Sequence, residues 1–255
     1  MKNRILLTPY FLDEYSADLE KLIQPDWVLV HRDLPAGGKL ERMSLLLPGL
    51  TREVGAAVLS GERPVSIAGD CCTAIAVLAG MQGAGLEPTL VWLDAHGDFN
   101  TWETTPSGFL GGMPLAMLVG RGEQTLVEAV GLSPYPEEKI MLCDGRDLDP
   151  GERQALAASQ VTLIPDITQI PDHPLAQDLL YIHFDTDIID PREAPAMGYL
   201  APGGPSAEQV RETFRRLRQT GRVVGVSLSA WRSDLDVDGR TRDLCMSLLN
   251  ELIAV

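Results

Sequence analysis

Eight short apolar runs alternate along this chain with longer segments of helical periodicity. Apolar residues are continuous within each run, which is typical of strands that are buried on both faces of a parallel sheet. The predicted strands lie at residues 3–9, 26–31, 63–70, 88–98, 138–147, 160–166, 179–191 and 222–231. The predicted helices lie at residues 17–22, 46–60, 73–82, 114–119, 151–159, 206–220 and 241–254.

This alternation predicts an α/β fold: a three-layer α/β/α architecture with a mostly parallel central sheet of about eight strands. We find no internal repeat, no low-complexity segment and no linker long enough to divide the chain. Residues 1–255 are therefore expected to form a single domain.

Charge and composition indicate which partners and which cellular compartment to expect. The net charge is −15, from 36 acidic and 21 basic side chains, which argues against nucleic acid or an anionic membrane as a partner. The N-terminal segment lacks the pattern of a signal peptide, and no apolar run approaches the length needed to cross a bilayer. Four cysteines without CxxC spacing indicate reduced thiols, so we expect a cytoplasmic protein.

Carboxylates follow several of the predicted strands. Because the carboxyl ends of parallel strands meet at one edge of a sheet, we expect these side chains to converge, and a bound cation would relieve their repulsion. The stretch "LDAHGDFN" places Asp94, His96 and Asp98 just past one strand, and "HFDTDIIDP" places Asp185 and Asp187 past another. This mixed oxygen and nitrogen set suits Mn²⁺ or a similar divalent ion, with one or two ions per chain.

Six stretches together resemble the arginase–agmatinase (ureohydrolase) family, in order and in spacing, over residues 60–250. They are "AGDCC" (68–72), "DAHGD" (94–98), "FNTWETTPSGFLGGMPLA" (99–116), "DGRDLDPGE" (144–152), "HFDTDIIDP" (183–191) and "LAPGGPS" (200–206). The resemblance implies an arginase-like fold, a homo-oligomer, and hydrolysis of a C–N bond in a linear amidine or guanidine. In this chemistry two Mn²⁺ ions lower the pKa of a shared water, whose hydroxide attacks the amidinium carbon.

By the same resemblance, Asp94 and Asp185 would bridge the two ions. His96 and Asp187 would complete one metal site, and Asp98 would serve the other while taking part in catalysis. Cys71 stands where the family has a metal-binding histidine. A thiolate is softer than imidazole and shifts preference towards Zn²⁺ or Fe²⁺, so Cys71 is either a ligand or the reason that one ion is weakly held.

Two further departures concern the substrate. Gly111 stands where arginases have a proton-shuttling histidine, and Ala230 stands where the family has a glutamate that holds the guanidinium group. Plain arginine is therefore expected to be a poor substrate. Relatives that act on Nω-hydroxyarginine also replace the metal histidine by cysteine, and a hydroxylated guanidine is less cationic, so we expect an arginine-like substrate such as Nω-hydroxyarginine.

The resemblance also assigns the other end of an arginine-like substrate. Asn100 and Ser107 would contact its α-carboxylate, although Phe109 replaces a neighbouring asparagine, and Asp149 and Glu152 would contact its α-ammonium group. The alternative is that these four residues only shape their loops, because residues 149–151 also form a good turn and helix start.

His183 replaces a family serine two residues before Asp185. It is predicted either to hydrogen-bond a ligand carboxylate or to act in catalysis as a substitute ligand or proton shuttle. Other functions also remain open at this point: a catalytically silent homologue, hydrolysis of agmatine or formiminoglutamate, or a deacetylase-like amide hydrolase with a single Zn²⁺. Asp94, His96 and Asp185 would supply the zinc ligands of the last.

Overall fold

The computed structural model of the protein describes residues 1–254. Its strands in chain order are β1 (Asn3–Thr8), β2 (Tyr10–Phe11), β3 (Glu14–Tyr15), β4 (Val28–Leu29), β5 (Arg63–Ala68), β6 (Thr89–Asp94), β7 (Ile140–Asp144), β8 (Thr162–Ile164), β9 (Leu180–Asp185) and β10 (Val223–Ser229). Eight of them form one parallel sheet in the order β4-β1-β5-β10-β9-β6-β7-β8, and β2 and β3 form a short antiparallel hairpin. The predicted parallel sheet is confirmed, strand for strand.

Helices cover both faces of this sheet. They are α1 (Ala17–Glu20), α2 (Lys39–Leu59), α3 (Thr73–Gly83), α4 (Pro114–Leu118), α5 (Thr125–Val130), α6 (Pro150–Ala157), α7 (Ala207–Gln219) and α8 (Arg240–Ile253). One buried apolar cluster joins the sheet to α2 through α6, and a second joins its other face to α7 and α8. The three-layer arrangement follows because each face of the sheet buries a separate apolar layer.

Two details differ from the predicted elements. Helix α2 begins at Lys39 rather than at residue 46. Its first turns carry few apolar residues, so they were not predicted as helix, although Met43 lies on the same buried face as Leu46. The hairpin β2–β3 and the short helix α5 were not predicted, and the strands of the hairpin, with two residues each, are too short to establish a period.

The four central strands carry the residues of the site at their carboxyl ends. Strands β5, β10, β9 and β6 are neighbours, so their carboxyl ends meet at the middle of one sheet edge. At the end of β5 the backbone of Gly69 lies against the hairpin, and a Cβ at this position would lie 2.4 Å from the carbonyl oxygen of Tyr10. Glycine is therefore needed at this turn, and the hairpin is brought to the rim of the site.

The described residues include all four cysteines, each of which is buried and free of any disulfide. Within residues 1–254 no helix combines the length and apolar character required to span a membrane.

Candidate metal centre and active site

A cavity of about 170 Å³ opens at the carboxyl ends of the central strands. Of the residues singled out from the sequence, those that line it are Cys71, His96, Asp98, Asn100, Ser107, Gly111, Asp149, Glu152, Asp185, Asp187 and Ala230. Asp94 and His183 lie below its floor, and both are almost completely buried. The structure therefore brings the predicted metal and substrate residues to one place.

His96 lies between two carboxylates from different strands. Its Nδ1 is 3.1 Å from Asp187 Oδ2 and 3.4 Å from Asp94 Oδ1. The backbone amide of His96 also donates to Asp94 Oδ1 at 2.7 Å, which holds the loop after β6 in place. These three side chains place a ligand atom each within 4.8 Å of one another.

Asp98 supplies a second group of ligand atoms, together with Cys71 and Asp94. The Asp98 side chain is 5% exposed, and its Oδ2 has no hydrogen-bond partner among residues 1–254. A buried carboxylate oxygen without a partner costs free energy unless a cation or proton meets it. Asp98 also has a φ of 49°, a strained value for a residue other than glycine, so its orientation is imposed by the surrounding structure.

Cys71 is buried at the centre of the cluster. Its thiol donates to Asp185 Oδ2 at 2.7 Å, and its Sγ is 3.2 Å from Ser229 Oγ. Cys72, in contrast, packs in the apolar cluster, with its Sγ 3.8 Å from the carbonyl oxygen of Leu110, and among the described residues it belongs to none of the groups of converging ligand atoms. The thiol at position 71 is therefore the one placed to meet an ion.

His183 lies in the core beneath the cavity, fully buried. Its Nδ1 is 2.7 Å from Ser227 Oγ, and its Nε2 is 3.4 Å from Ser229 Oγ. Its ring stacks on Trp92 at 3.7 Å between centroids, and the Trp92 indole donates to Asp94 Oδ2 at 3.0 Å. His183 also lies within 4.8 Å of ligand atoms of Cys71 and Asp185.

The electrostatics of the cluster show how strongly the carboxylates repel one another. Burial, together with repulsion from Asp187, raises the pKa of Asp94 and of Asp185. Burial and the charge of Asp94 raise the pKa of Asp98. Although burial lowers the pKa of His96, hydrogen bonds to Asp187 and Asp94 raise it to about 12.

These residues fit a divalent cation. The donor set is dominated by carboxylate oxygens with one imidazole, which suits Mn²⁺, and the orphaned Asp98 oxygen is a ligand atom without another use. The thiol of Cys71 is the exception. Burial and the charge of Asp185 raise its pKa, so ionisation as a metal ligand requires the ion itself.

A family model described as "Arginase family" matches residues 16–254 of this chain. The chain belongs to the arginase family. Its members hydrolyse C–N bonds in linear amidines, so the predicted enzyme class is confirmed, and this arginase-family chain is a metal-dependent hydrolase of the guanidino group.

Relatives and solved structures agree with this assignment. The arginase of Bacillus subtilis (strain 168) is 29% identical over 230 residues, which are 84% of this chain and 78% of that protein. The solved arginase of Bacillus caldovelox has a TM-score of 0.85 at 24% identity and covers 100% of this chain and 99% of that one. The agmatine ureohydrolase of Thermoplasma volcanium has a TM-score of 0.69 at 19% identity, covering 99% and 89%. The arginase-like fold is therefore confirmed.

The residues that were predicted to bind the amino-acid end of the substrate all lie in the cavity wall. Their polar atoms, however, are hydrogen-bonded within their own loops. Glu152 Oε1 accepts from the Phe99 amide at 2.8 Å, and its Oε2 accepts from the Asp149 amide at 3.2 Å. Asn100 Nδ2 donates to Asp149 Oδ2 at 3.0 Å, and Ser107 Oγ accepts from the backbone. Asp149 and Glu152 form the capping box of α6.

Two other strand-end carboxylates serve the scaffold. Asp70 accepts from the amides of Leu12 and Cys72, at 2.7 and 2.9 Å, which ties the hairpin to the turn after β5. Asp144 forms an ion pair with Arg146.

Sequence reasoning did not single out three aromatic residues of the cavity wall as a group. Phe11, Phe109 and Tyr199 come from the hairpin, the loop before α4 and the loop after β9, and all three line the cavity. Phe109 stood out as a departure from the family, whereas nothing in the local pattern marks Phe11 or Tyr199. Their proximity arises only from the tertiary fold.

Proposed function

We propose that this chain binds divalent cations in its carboxylate cluster and hydrolyses the guanidino C–N bond of a small molecule in the cavity above it. The observation that carries the proposal is the convergence of Asp94, His96 and Asp187 with the unpaired Asp98 oxygen at one cavity floor. A scaffold with no catalytic use for these groups would not keep so many buried carboxylates at one point.

Five residues are proposed as metal ligands from hard or borderline donors: Asp94, His96, Asp98, Asp185 and Asp187. Cys71 is proposed as an additional ligand on the side of Asp98, because its Sγ lies among the same carboxylates. Mn²⁺ is the ion that this set suits best, and the thiol also admits Zn²⁺. A bound ion supplies Lewis acidity and lowers the pKa of water towards neutrality.

The chain's own residues then handle the substrate and the proton. Acidic side chains at the cavity floor attract a planar cation and align its central carbon with the attacking water. We assign proton transfer to Asp98, whose second carboxylate oxygen, Oδ1, is left for this role when Oδ2 serves as the ligand atom. It takes a proton from the water as the new C–O bond forms, and it returns a proton to the amine as the C–N bond breaks.

His183 is proposed as a positioning residue. It touches no cavity surface, and its ring nitrogens face the hydroxyls of Ser227 and Ser229. The Ser229 hydroxyl lies between His183 and the Cys71 thiol, so His183 orients Cys71 through Ser229. The His183 ring also stacks on Trp92 and so fixes the position of the indole that donates to Asp94. A proton shuttle to solvent would need a path that the buried ring does not offer.

The substrate proposal follows from two small residues. Ala230 and Gly111 line the cavity and offer neither a carboxylate to hold a strong cation nor a shuttle for its proton. We propose a guanidine that is less strongly cationic than that of arginine, of which the hydroxyguanidine of Nω-hydroxyarginine is the example to test. Loss of one charge-assisted hydrogen bond to the cation is worth about 1.5–3 kcal/mol.

The test is a substrate panel on protein loaded with Mn²⁺. Arginine, Nω-hydroxyarginine, agmatine and formiminoglutamate are assayed for urea, hydroxyurea, urea and formamide, respectively, with Asp98→Asn protein as the inactive control. The proposal is supported if wild-type protein releases one of these products from a guanidine and Asp98→Asn protein does not. Arginine as the best substrate would contradict the assignment of Ala230 and Gly111. Metal-loaded protein that cleaves no amidine or guanidine would instead favour the silent homologue.

A further inference from the structure

We infer that the substrate carries a flat apolar group, such as an aromatic ring, at the end opposite its guanidine, and that this group stacks on the aromatic rim of the cavity. The aromatic rim is Phe11, Phe109 and Tyr199. The inference rests on the proposed function, since it names the substrate class of the same site. It differs from an arginine-like substrate, whose distal end is a charged amino acid.

The three rings form a continuous wall. The Phe109 ring lies nearly parallel to that of Phe11, with centroids 6.3 Å apart and planes 17° apart, and it contacts Tyr199 at 4.7 Å between centroids. Tyr199 is 51% exposed, so the wall ends in solvent at the mouth. An apolar group that leaves the cavity along this wall would bury aromatic surface that now faces water.

Gly111 and Phe109 form a single arrangement. A Cβ added at position 111 would lie 2.3 Å from Phe109 Cε1 and 2.5 Å from its Cζ, which is far inside contact distance. The Phe109 ring therefore occupies the space that any side chain at position 111 would need. Two departures that looked independent in the sequence are one exchange, in which an aromatic ring replaces polar groups in the wall.

The wall also lacks groups that would hold an amino acid. None of the lining residues, all within the described part of the chain, is lysine or arginine, whereas Asp147, Asp149 and Glu152 contribute carboxylates. A free α-carboxylate at the mouth would be repelled by them. The amide of Asn100 and both oxygens of Glu152 already serve their own loops.

Calorimetry on the Mn²⁺-loaded protein tests this with matched probes. Butylguanidine and 4-phenylbutylguanidine share the guanidine and the alkyl chain and differ only in the ring, while arginine supplies a charged distal end. We expect the phenyl probe to bind about tenfold more tightly than butylguanidine, given the stacking energy of aromatic pairs. Arginine, which carries the α-carboxylate, should bind more weakly than the phenyl probe.

Variants locate the effect. Phe109→Leu keeps an apolar side chain but removes the ring, so the phenyl advantage should fall to less than threefold while the Kd of butylguanidine stays constant. Gly111→Ala keeps Phe109 and displaces its ring, so it should cause the same loss and serves as an independent variant. Trp102→Leu, a change of an exposed aromatic outside the cavity lining, is the matched control and should keep the full advantage.

The outcomes separate the two claims. Butylguanidine binding with no phenyl advantage, or arginine binding more tightly than the phenyl probe, would overturn this inference and leave the proposed function standing. No binding of any of these guanidines, together with no release of product from Nω-hydroxyarginine, would overturn both. A phenyl advantage that survives Phe109→Leu and Gly111→Ala would show that the ring binds elsewhere and would also overturn the inference.

Discussion

Replacing Asp98 by asparagine should stabilise the metal-free protein and destabilise the metal-loaded one. Asparagine has almost the same shape as aspartate but carries no charge. In the metal-free protein, the Asp98 carboxylate is buried, its Oδ2 has no partner, and Asp94 and Glu152 lie close enough to raise its pKa. That protein must either hold a repelled charge or take up a proton, and asparagine avoids both costs.

The size of the effect follows from the cost of an unsatisfied buried polar group, about 1–3 kcal/mol. For a chain of this length, 1 kcal/mol shifts Tm by about 2–4 °C, so Asp98→Asn should raise the Tm of metal-free protein by about 2–12 °C. With Mn²⁺ at a hundredfold excess over its Kd, the wild type gains about 2.7 kcal/mol by binding, whereas a variant with one ligand weakened gains much less. The order of stabilities should therefore reverse.

Thermal unfolding followed by circular dichroism, with chelator and then with Mn²⁺, measures both effects on the same samples. Asp147→Asn is the matched control, because Asp147 lines the same cavity but is exposed, and its replacement should shift Tm by less than about 2 °C in either buffer. If Asp98→Asn lowers Tm without metal, or if Mn²⁺ stabilises the variant as much as the wild type, the assignment of Asp98 as an unpaired metal ligand is refuted.

Three further predictions concern the surrounding residues. Trp92→Phe keeps an aromatic ring but removes the indole N–H that donates to the proposed ligand Asp94, so Mn²⁺ affinity measured by calorimetry should fall about 10- to 100-fold. The control Trp102→Phe removes an N–H that donates to an exposed carboxylate at the same distance, 3.0 Å, and should leave Mn²⁺ affinity unchanged. Co²⁺-loaded protein should show a near-ultraviolet thiolate charge-transfer band that is lost in Cys71→Ser and kept in Cys72→Ser; the opposite result would place the wrong thiol at the metal. Glu152→Ala leaves two backbone amides without acceptors and should cost about 2–4 kcal/mol in urea unfolding, whereas a loss below about 0.5 kcal/mol would refute its structural role.

The sheet and the convergence of the strand-end carboxylates could be predicted because both depend on local patterns. Continuous apolar runs identify buried parallel strands, and a carboxylate directly after such a strand has one place to go, the carboxyl edge of the sheet. This rule alone places Asp94 and Asp185 at that edge. Their convergence with His96 then required only that the strands be neighbours, which the family resemblance supplied.

The roles of the residues at the substrate end could not be decided from the sequence, because they depend on competition between partners. Asn100 and Glu152 have the right chemistry to bind an amino acid, yet their polar atoms already hold backbone amides and Asp149. No pattern in the sequence shows whether a carboxylate will accept hydrogen bonds from its own loop or from a substrate. The aromatic rim posed the same difficulty, since Phe11 and Tyr199 are separated by most of the chain.

The central claim is that the carboxylate cluster is a metal centre, and anomalous diffraction from a crystal soaked in Mn²⁺ tests it most directly. We predict at least one anomalous peak in contact with Asp94, Asp187 and His96, with a second near Asp98 and Cys71 at equal or lower occupancy. A map with no peak among these side chains, from crystals that diffract well enough to show them, would contradict the account.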